Sequence, residues 1–305
     1  MSNDNLAATL VTQRAIGDGP NLAHGLRFAA RTDVGCIREH NEDSFHANGE
    51  TGLWLVADGM GGQGGGDVAS RIVASHMAAA CTDGKDLLEA VRGAHQAVIA
   101  AGTSGEGSAR MGSTIVALRS KGKEYEIAWV GDSRAYLWDG ALQQLTKDHS
   151  LVQERLDRNL ITPAEVANDP GRGVITQCLG PANNTTLQIG SVTHKWHRDE
   201  KILLCSDGLH EEVAGATLSA IVASQPTVEG AVSALIKAAL EAGGPDNVTA
   251  ILVSAPDDAP SLRRPGVFRR LLGALDPRFH ALVLGAAAGL VAILGLLLVW
   301  LLRRS

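Results

Sequence analysis

The sequence predicts an α+β domain of antiparallel sheets covered by helices, followed by one membrane-spanning helix. Three observations carry this expectation. Short apolar runs of strand length lie close together, joined by hairpin-sized turns, with paired amphipathic helices grouped between them. Hydrophobic residues make up 45% of the 305 residues but aromatics only 4%, so the core must be aliphatic and alanine-rich. Near the C-terminus, Ala281 to Leu302 carries no charge. As a helix at ~1.5 Å per residue that run is about 33 Å long, enough to cross a bilayer.

Residues 1–25 are polar and irregular and are expected to form a flexible N-terminal arm. From there to residue 254 the chain reads as one domain. Strands are expected at Leu26–Ala30, Asp43–Ala47 and Leu53–Ala57. A helix fits Asp67–Ala80, with Ala69, Ile72, Val73, His76 and Met77 on one face, and a second fits Asp86–Ala101. Strands return at Thr114–Leu118, Glu124–Val130 and Ala135–Trp138, where Asp139-Gly140 is a two-residue hairpin signal. Residues 147–180 are polar and weakly helical. Strands near Lys201–Cys205 and Val248–Ser254 flank a helix over Val228–Ala242. Residues 255–280 hold Pro256, Pro260, Pro265 and Pro277 with several arginines and read as a basic juxtamembrane linker. The spanning helix occupies 281–302.

Composition removes several function classes. The net charge of −6, with no basic stripe before residue 260, argues against nucleic-acid binding. Cys36, Cys81, Cys178 and Cys205 are far apart and form no CxxC, which argues against a zinc site or a disulfide framework and for a reducing compartment. Asp4, Arg14 and Asp18 interrupt any apolar leader. Arg263, Arg264, Arg269, Arg270 and Arg278 precede the span and only Arg303 and Arg304 follow it, so the domain is expected on the cytoplasmic side of a single-pass inner-membrane protein. The same arginines suit anionic headgroups.

Acidic residues sit in four short contexts. Glu42 and Asp43 lie in Asn41-Glu42-Asp43-Ser44, Asp58 in Ala57-Asp58-Gly59-Met60-Gly61-Gly62, Asp207 in Cys205-Ser206-Asp207-Gly208, and Asp246 in Gly244-Pro245-Asp246-Asn247. Carboxylates at the ends of buried strands are costly unless a cation neutralises them. Hard divalent cations take oxygen ligands and keep waters, and a pair of them about 3.5–4 Å apart can activate water and orient a phosphate ester. Gly59, Gly61 and Gly64 also match a dinucleotide fingerprint, but the repeated βαβ context is missing and Asp58 would stand beside a pyrophosphate. A backbone free to bend, aiming the Asp58 carboxylate and the Gly59 carbonyl at metal ions, is the better account.

These residues carry a resemblance. Gly35-x-x-Arg38-x-x-Asn41-Glu42-Asp43-Ser44, Asp58-Gly59-Met60-Gly61-Gly62, Gly131-Asp132-Ser133-Arg134, Ser206-Asp207-Gly208-Leu209 and Asp246-Asn247-Val248-Thr249 resemble, in the same order, the metal-dependent type 2C serine/threonine protein phosphatases. Thr146-Lys147-Asp148-His149-Ser150 and Val174-Ile175-Thr176-x-x-Leu179-Gly180 look like bacterial members. The resemblance implies a four-layer αββα sandwich with two Mn²⁺ or Mg²⁺ ions between the sheets. It implies Asp58 as the bridging ligand, the Gly59 carbonyl on one ion, and Asp207 and Asp246 on the other. Glu42 and Asp43 would hold metal-bound waters, Asp132 would contribute to a third, weaker metal, and Arg38 would grip the phosphate with its planar fork. The implied reaction is attack of activated water on phosphoserine or phosphothreonine without a phospho-enzyme, with residues 147–180 as a flap that sets selectivity.

Two positions depart from the family pattern. Met60 stands where many eukaryotic members have a histidine proposed as general acid, which leaves a metal-bound water or His149 as proton donor. Gln63 stands where bacterial members often have histidine. His194 and His197 form an HxxH that reads as a solvated strand or turn. The expected partners are phosphorylated proteins, among them a serine/threonine kinase or its substrates, and the membrane through 281–302. A small-residue Gly285-x-x-x-Gly289 permits, without requiring, helix pairing. The competing expectations are a membrane-anchored pseudophosphatase that binds phosphoproteins, and a phosphatase for small phosphate esters.

Overall fold

The computed structural model describes residues 12–17 as backbone and residues 25–62, 65–180 and 186–261 in full. Gln63, most of the linker and the 281–302 segment lie outside the described residues. Among the described residues, no helix is long and apolar enough to cross a membrane.

In chain order the elements are β1 (Thr12–Gly17), β2 (Phe28–Asp33), β3 (Asp43–Asn48), β4 (Leu53–Met60), α1 (Gly66–Thr82), α2 (Leu87–Ser104), β5 (Gly112–Ser113), β6 (Ile115–Lys121), β7 (Glu124–Val130), β8 (Arg134–Trp138), β9 (Leu142–Gln144), α3 (Leu151–Asp157), β10 (Gly190–Lys195), β11 (Lys201–Cys205), α4 (Asp207–His210), α5 (Gly215–Ser224), α6 (Val228–Glu241) and β12 (Val248–Ser254). One sheet runs β1-β2-β12-β11-β8-β9 and the other β10-β7-β6-β4-β3, with β5 paired to β4. Every pairing is antiparallel.

Alternation along each strand builds the layers, because successive side chains point to opposite faces. In β4, Leu53, Leu55 and Ala57 pack with α1 and α2, whereas Trp54 and Val56 face the opposite sheet. In β11, Ile202 and Leu204 join that inter-sheet core, while Leu203 and Cys205 pack under α5 and α6. In β12, Ile251 and Val253 face inward and Ala250 and Leu252 face the helices. Three apolar layers therefore separate four layers of secondary structure, the αββα arrangement implied by the resemblance. The central strands are buried on both faces, which is why they appear in the sequence as unbroken apolar runs.

The helix ends follow local chemistry. Asp86 caps α2 by accepting the Glu89 N–H at 2.7 Å, and Thr227 caps α6 by accepting the Gly230 N–H at 3.1 Å. The structure departs from the sequence reading in several elements. Thr12–Gly17, inside the expected flexible arm, pairs with β2 as an edge strand; backbone pairing to an open sheet edge needs no apolar period. β8 and β9 close through three residues, Asp139 to Ala141, because Trp138 pairs with Leu142. β5, β9, β10 and α5 were not expected.

Trp54 is fully buried between the sheets, with Phe28 edge-on at 5.5 Å. Trp54→Ala is expected to lower the unfolding free energy by about 3–5 kcal/mol in urea titrations. Ile37→Ala, at a residue 71% exposed, should stay within about 0.5 kcal/mol.

Candidate metal centre

At one end of the sandwich the inter-sheet face changes from apolar to polar without changing its period. Continuing the inward-facing positions of β4 (Trp54, Val56) reaches Asp58, and those of β3 (Phe45, Ala47) lead back to Asp43. The same parity brings Thr32 from β2, Thr114 before β6, Ser206 after β11 and Thr249 from β12 to this end. Asp43 and Asp58 are direct cross-strand partners. Like charges in that position repel.

Around this pair stand three further carboxylates. The Asp58 and Asp207 side chains lie within hydrogen-bonding reach of each other. Burial, then Asp207, Asp43, Asp132 and Asp246, hold the Asp58 carboxyl well above the usual range. Burial pushes Asp132 up to about 7, with help from Asp207 and Asp148, and Asp207 up to about 6, with help from Asp246 and Glu211. Burial also raises Asp43, against two hydroxyls that stabilise its charge. Asp43, Asp58, Asp132, Asp207 and Asp246 thus act on one another electrostatically as one cluster. Glu42 joins it through the backbone: its carbonyl accepts the Gly59 N–H at 3.1 Å and its N–H donates to Asn247 Oδ1 at 2.8 Å.

Among the described residues, no three His, Cys, Asp or Glu side chains are gathered tightly enough to enclose an ion as they stand. Asp246 Oδ2 is instead held by Arg38 Nη2 at 2.7 Å. One atom stays unpaired. Asp43 is 8% exposed, and its Oδ1 is buried with no hydrogen-bond partner. A desolvated all-oxygen cluster with an orphaned carboxylate oxygen suits hard divalent cations.

The backbone around the cluster is tightly fixed. The Asp58 N–H donates to Thr114 Oγ1 at 3.1 Å, the Thr114 N–H returns to the Asp58 carbonyl at 2.8 Å, and Thr114 meets Ser133 at 2.7 Å. Asn247 Nδ2 donates to the Val34 and His40 carbonyls at 2.9 and 3.0 Å, fastening the loop that carries Arg38. Two glycines are required here. A Cβ on Gly59 would lie 2.0 Å from the Gly66 carbonyl oxygen. Gly35, at φ +81°, would place one 2.1 Å from the Asp246 carbonyl oxygen. Arg38 itself is half exposed (52%), at the rim.

The flap is anchored beside the cluster. Arg134 clamps Asp148 with Nε and Nη2, the shortest contact being 2.7 Å, and Gln144 adds a bond at 3.0 Å. His149 Nδ1 accepts the Gly131 N–H at 3.2 Å, and the His149 backbone N–H donates to the Gly131 carbonyl at 2.9 Å. Burial lowers its pKa. It is therefore a neutral ring with its proton on Nε2, tied to the backbone. Arg172 reaches from the returning limb to the Glu211 carbonyl at 3.1 Å. His210, not singled out from the sequence, donates from Nε2 to the Asp132 carbonyl at 3.0 Å and fixes that turn. His194 lies on β10 near Tyr125, and His197 pairs with Glu200 at 3.2 Å, so the HxxH is not a metal pair. Cys36 is exposed, and its thiol contacts the Leu240 carbonyl at 3.9 Å rather than the cluster.

With this geometry in place, similarity to known proteins is decisive. The pattern of the family described as Protein phosphatase 2C matches residues 38–243. The chain belongs to the protein phosphatase 2C family. It is 39% identical over 241 residues to the serine/threonine protein phosphatase PstP of Mycobacterium tuberculosis, an alignment covering 76% of this chain and 45% of PstP, so the chain spans about half the length of that relative. It is 33% identical over 237 residues to the serine/threonine phosphatase Stp of Listeria innocua, covering 73% of this chain and 93% of Stp. A solved structure of the PstP catalytic domain in complex with two manganese ions superimposes with a TM-score of 0.69 at 36% identity, covering 76% of this chain and 99% of that one.

Proposed function

We propose that this chain is a metal-dependent phosphatase that removes phosphate from phosphoserine and phosphothreonine in proteins. The observation that carries the reading is the carboxylate cluster at the end of the inter-sheet face, in a chain of the 2C family. Asp58 would bridge two Mn²⁺ or Mg²⁺ ions, the Gly59 carbonyl would reach one, and Asp207 and Asp246 the other. Glu42 and Asp43 would act through bound water, and Asp132 would serve a third, weaker ion. When bound, the ions supply charge neutralisation at the phosphate and a more acidic water for in-line displacement.

The chain's own residues supply the rest. Arg38, at the rim, has a planar fork that can hold two phosphate oxygens at once. Thr114 and Ser133 hold the Asp58 strand end against the β7–β8 turn, so the bridging carboxylate is fixed before substrate arrives. His149 is a poor general acid. Its Nδ1 is committed to the Gly131 N–H, and a neutral imidazole gives up its remaining proton reluctantly. The flap, pinned by Arg134–Asp148 at one root and Arg172–Glu211 on its returning limb, forms a wall beside the centre where residues flanking the phosphate would lie.

Residues 281–302 are read as a single-pass anchor that keeps the domain on the cytoplasmic side of the inner membrane. The support is the charge-free run and the arginine excess before it. Phosphorylated proteins at that surface, including a serine/threonine kinase or its targets, are the proposed partners. Retention of every acidic position speaks against the pseudophosphatase alternative.

Phosphate release from a phosphothreonine peptide should require Mn²⁺ or Mg²⁺, stop in EDTA, and fall at least about 100-fold in Asp58→Asn and Asp207→Asn, since each removes several kcal/mol of charge stabilisation. A folded chain that binds the peptide without turnover would favour the pseudophosphatase, and faster release from free sugar phosphates would favour the small-ester reading. His149→Ala should keep hydrolysis of a phosphoserine peptide, whose alkoxide leaving group must take up a proton, within about tenfold of the parent, whereas loss of a general acid costs about 10²–10⁴. After cell fractionation, the full chain should sediment with membranes and a chain ending at residue 260 should not; a soluble full chain would end the anchor reading.

A further inference from the structure

Outside the residues expected to face the ions lies a set of buried hydroxyls to which the sequence reading assigned no role. Thr249 Oγ1 donates to Asp43 Oδ2 at 2.6 Å and Ser206 Oγ donates to the same oxygen at 2.7 Å. Thr249 Oγ1 also lies 2.7 Å from Thr32 Oγ1. Asn41 Nδ2 donates to Thr32 Oγ1 at 2.9 Å, and Asn41 Oδ1 accepts the Asp43 N–H at 3.0 Å. Ser206 Oγ accepts the Thr249 N–H at 3.0 Å. Thr32, Ser206 and Thr249 are all buried, on the inter-sheet face.

A proton count fixes the direction of this chain. A hydroxyl has one proton to donate. Thr249 gives its proton to Asp43, so in the contact with Thr32 the donor is Thr32. Thr32 has then used its own proton and can only accept from Asn41. Every proton points toward Asp43 Oδ2, in the order Asn41 to Thr32 to Thr249 to Asp43, with Ser206 converging from the side. Asp43 Oδ2 is thus saturated by two donors, and Oδ1, buried and without a partner, is the only oxygen left to face a cation or its water.

We propose that Thr249, backed by Thr32 and Asn41 and assisted by Ser206, is a positioning residue that turns Asp43 Oδ1 toward the ion site and thereby sets the affinity for divalent metal. This rests on the reading that Asp43 belongs to that site. The reason is geometric: a carboxylate held at one oxygen by two short bonds cannot rotate, so its free oxygen stays aimed. Groups that orient metal ligands from behind typically contribute 10–100-fold to metal affinity. Thr249 comes from β12 and Ser206 from the end of β11, whereas Asp43 opens β3 of the other sheet. The clamp therefore also joins the two sheets at the site.

The test is calorimetric titration of the full-length chain with MnCl₂, read beside the Mn²⁺-induced rise in melting temperature. Thr249→Val, which keeps shape and removes the hydroxyl, should weaken Mn²⁺ binding by about 10–100-fold. Thr249→Ser, which restores the hydroxyl, should return it to within about threefold. Ser206→Ala should weaken binding less, because it leaves the Asn41–Thr32–Thr249 chain and its 2.6 Å bond to Asp43 in place, and it serves as the second variant if Thr249→Val does not fold. Folded Thr249→Val or Ser206→Ala that binds Mn²⁺ as tightly as the parent overturns the clamp while leaving the metal centre standing. A parent chain that takes up no Mn²⁺ overturns both readings together.

Discussion

The rest of the site depends on one electrostatic cost. Asp43 and Asp58 oppose each other across an antiparallel pair, and Asp207, Asp132 and Asp246 close in from the other sheet and its loops. Burial is the largest cause that raises the proton affinity of Asp43, Asp58, Asp132 and Asp207, and repulsion from neighbouring acids adds to it at each of the four. A fold selected for stability alone would not place carboxylates there. They persist because the surrounding structure holds them regardless. Hydroxyls donate to Asp43, Thr114 and its backbone hold the Asp58 strand end, and Arg38 partners Asp246. A cation that relieved the repulsion would be held the more tightly for it.

The sandwich makes this placement possible. Two antiparallel sheets stacked face to face bring many strand ends to one edge of a shared core. The inter-sheet layer is closed in its middle by Trp54, Ile127, Ile202 and Ile251, all fully buried. Continuing the same period two residues further along a strand exchanges a core side chain for a carboxylate or a hydroxyl. Precision at the centre therefore comes from packing some distance away, because moving Asp58 would require moving Trp54 and Val56.

Much of this was legible in the sequence, for a physical reason. β4, β6, β7, β11 and β12 are buried on both faces, so their apolar runs were unmistakable, and α1, α2 and α6 showed clear helical spacing. The acids were legible because each follows or precedes such a run at a Gly, Ser or Asn turn. β1, β9 and β10 were not, because edge strands are held by backbone pairing and carry no core pattern; β10 is mostly exposed. α5 was hidden by its short alanine-rich sequence. The hydroxyl clamp was missed for a different reason. Thr32 and Thr249 sit inside apolar strands as β-branched residues, which read as ordinary strand formers, and only their cross-strand register, Thr32 opposite Thr249, reveals the partnership. The pairing of Arg38 with Asp246 was equally invisible, because it joins residues 208 positions apart.

The site is not uniform, and the asymmetry bears on how it works. On the strand side, Asp43 is 8% exposed, and its Oδ2 is bound by Ser206 and Thr249. On the loop side, the Asp246 side chain is 34% exposed and its partner Arg38 52% exposed. A half-exposed ion pair is worth little, about 0–1 kcal/mol, and exchanges partners readily. The buried carboxylates lack that freedom. The strand side is therefore a preformed anchor whose geometry is set by folding, and the loop side is the door. On the proposed reading, Asp246 would leave Arg38 for an ion there, and the arginine so released already stands at the rim, where an incoming phosphate would arrive.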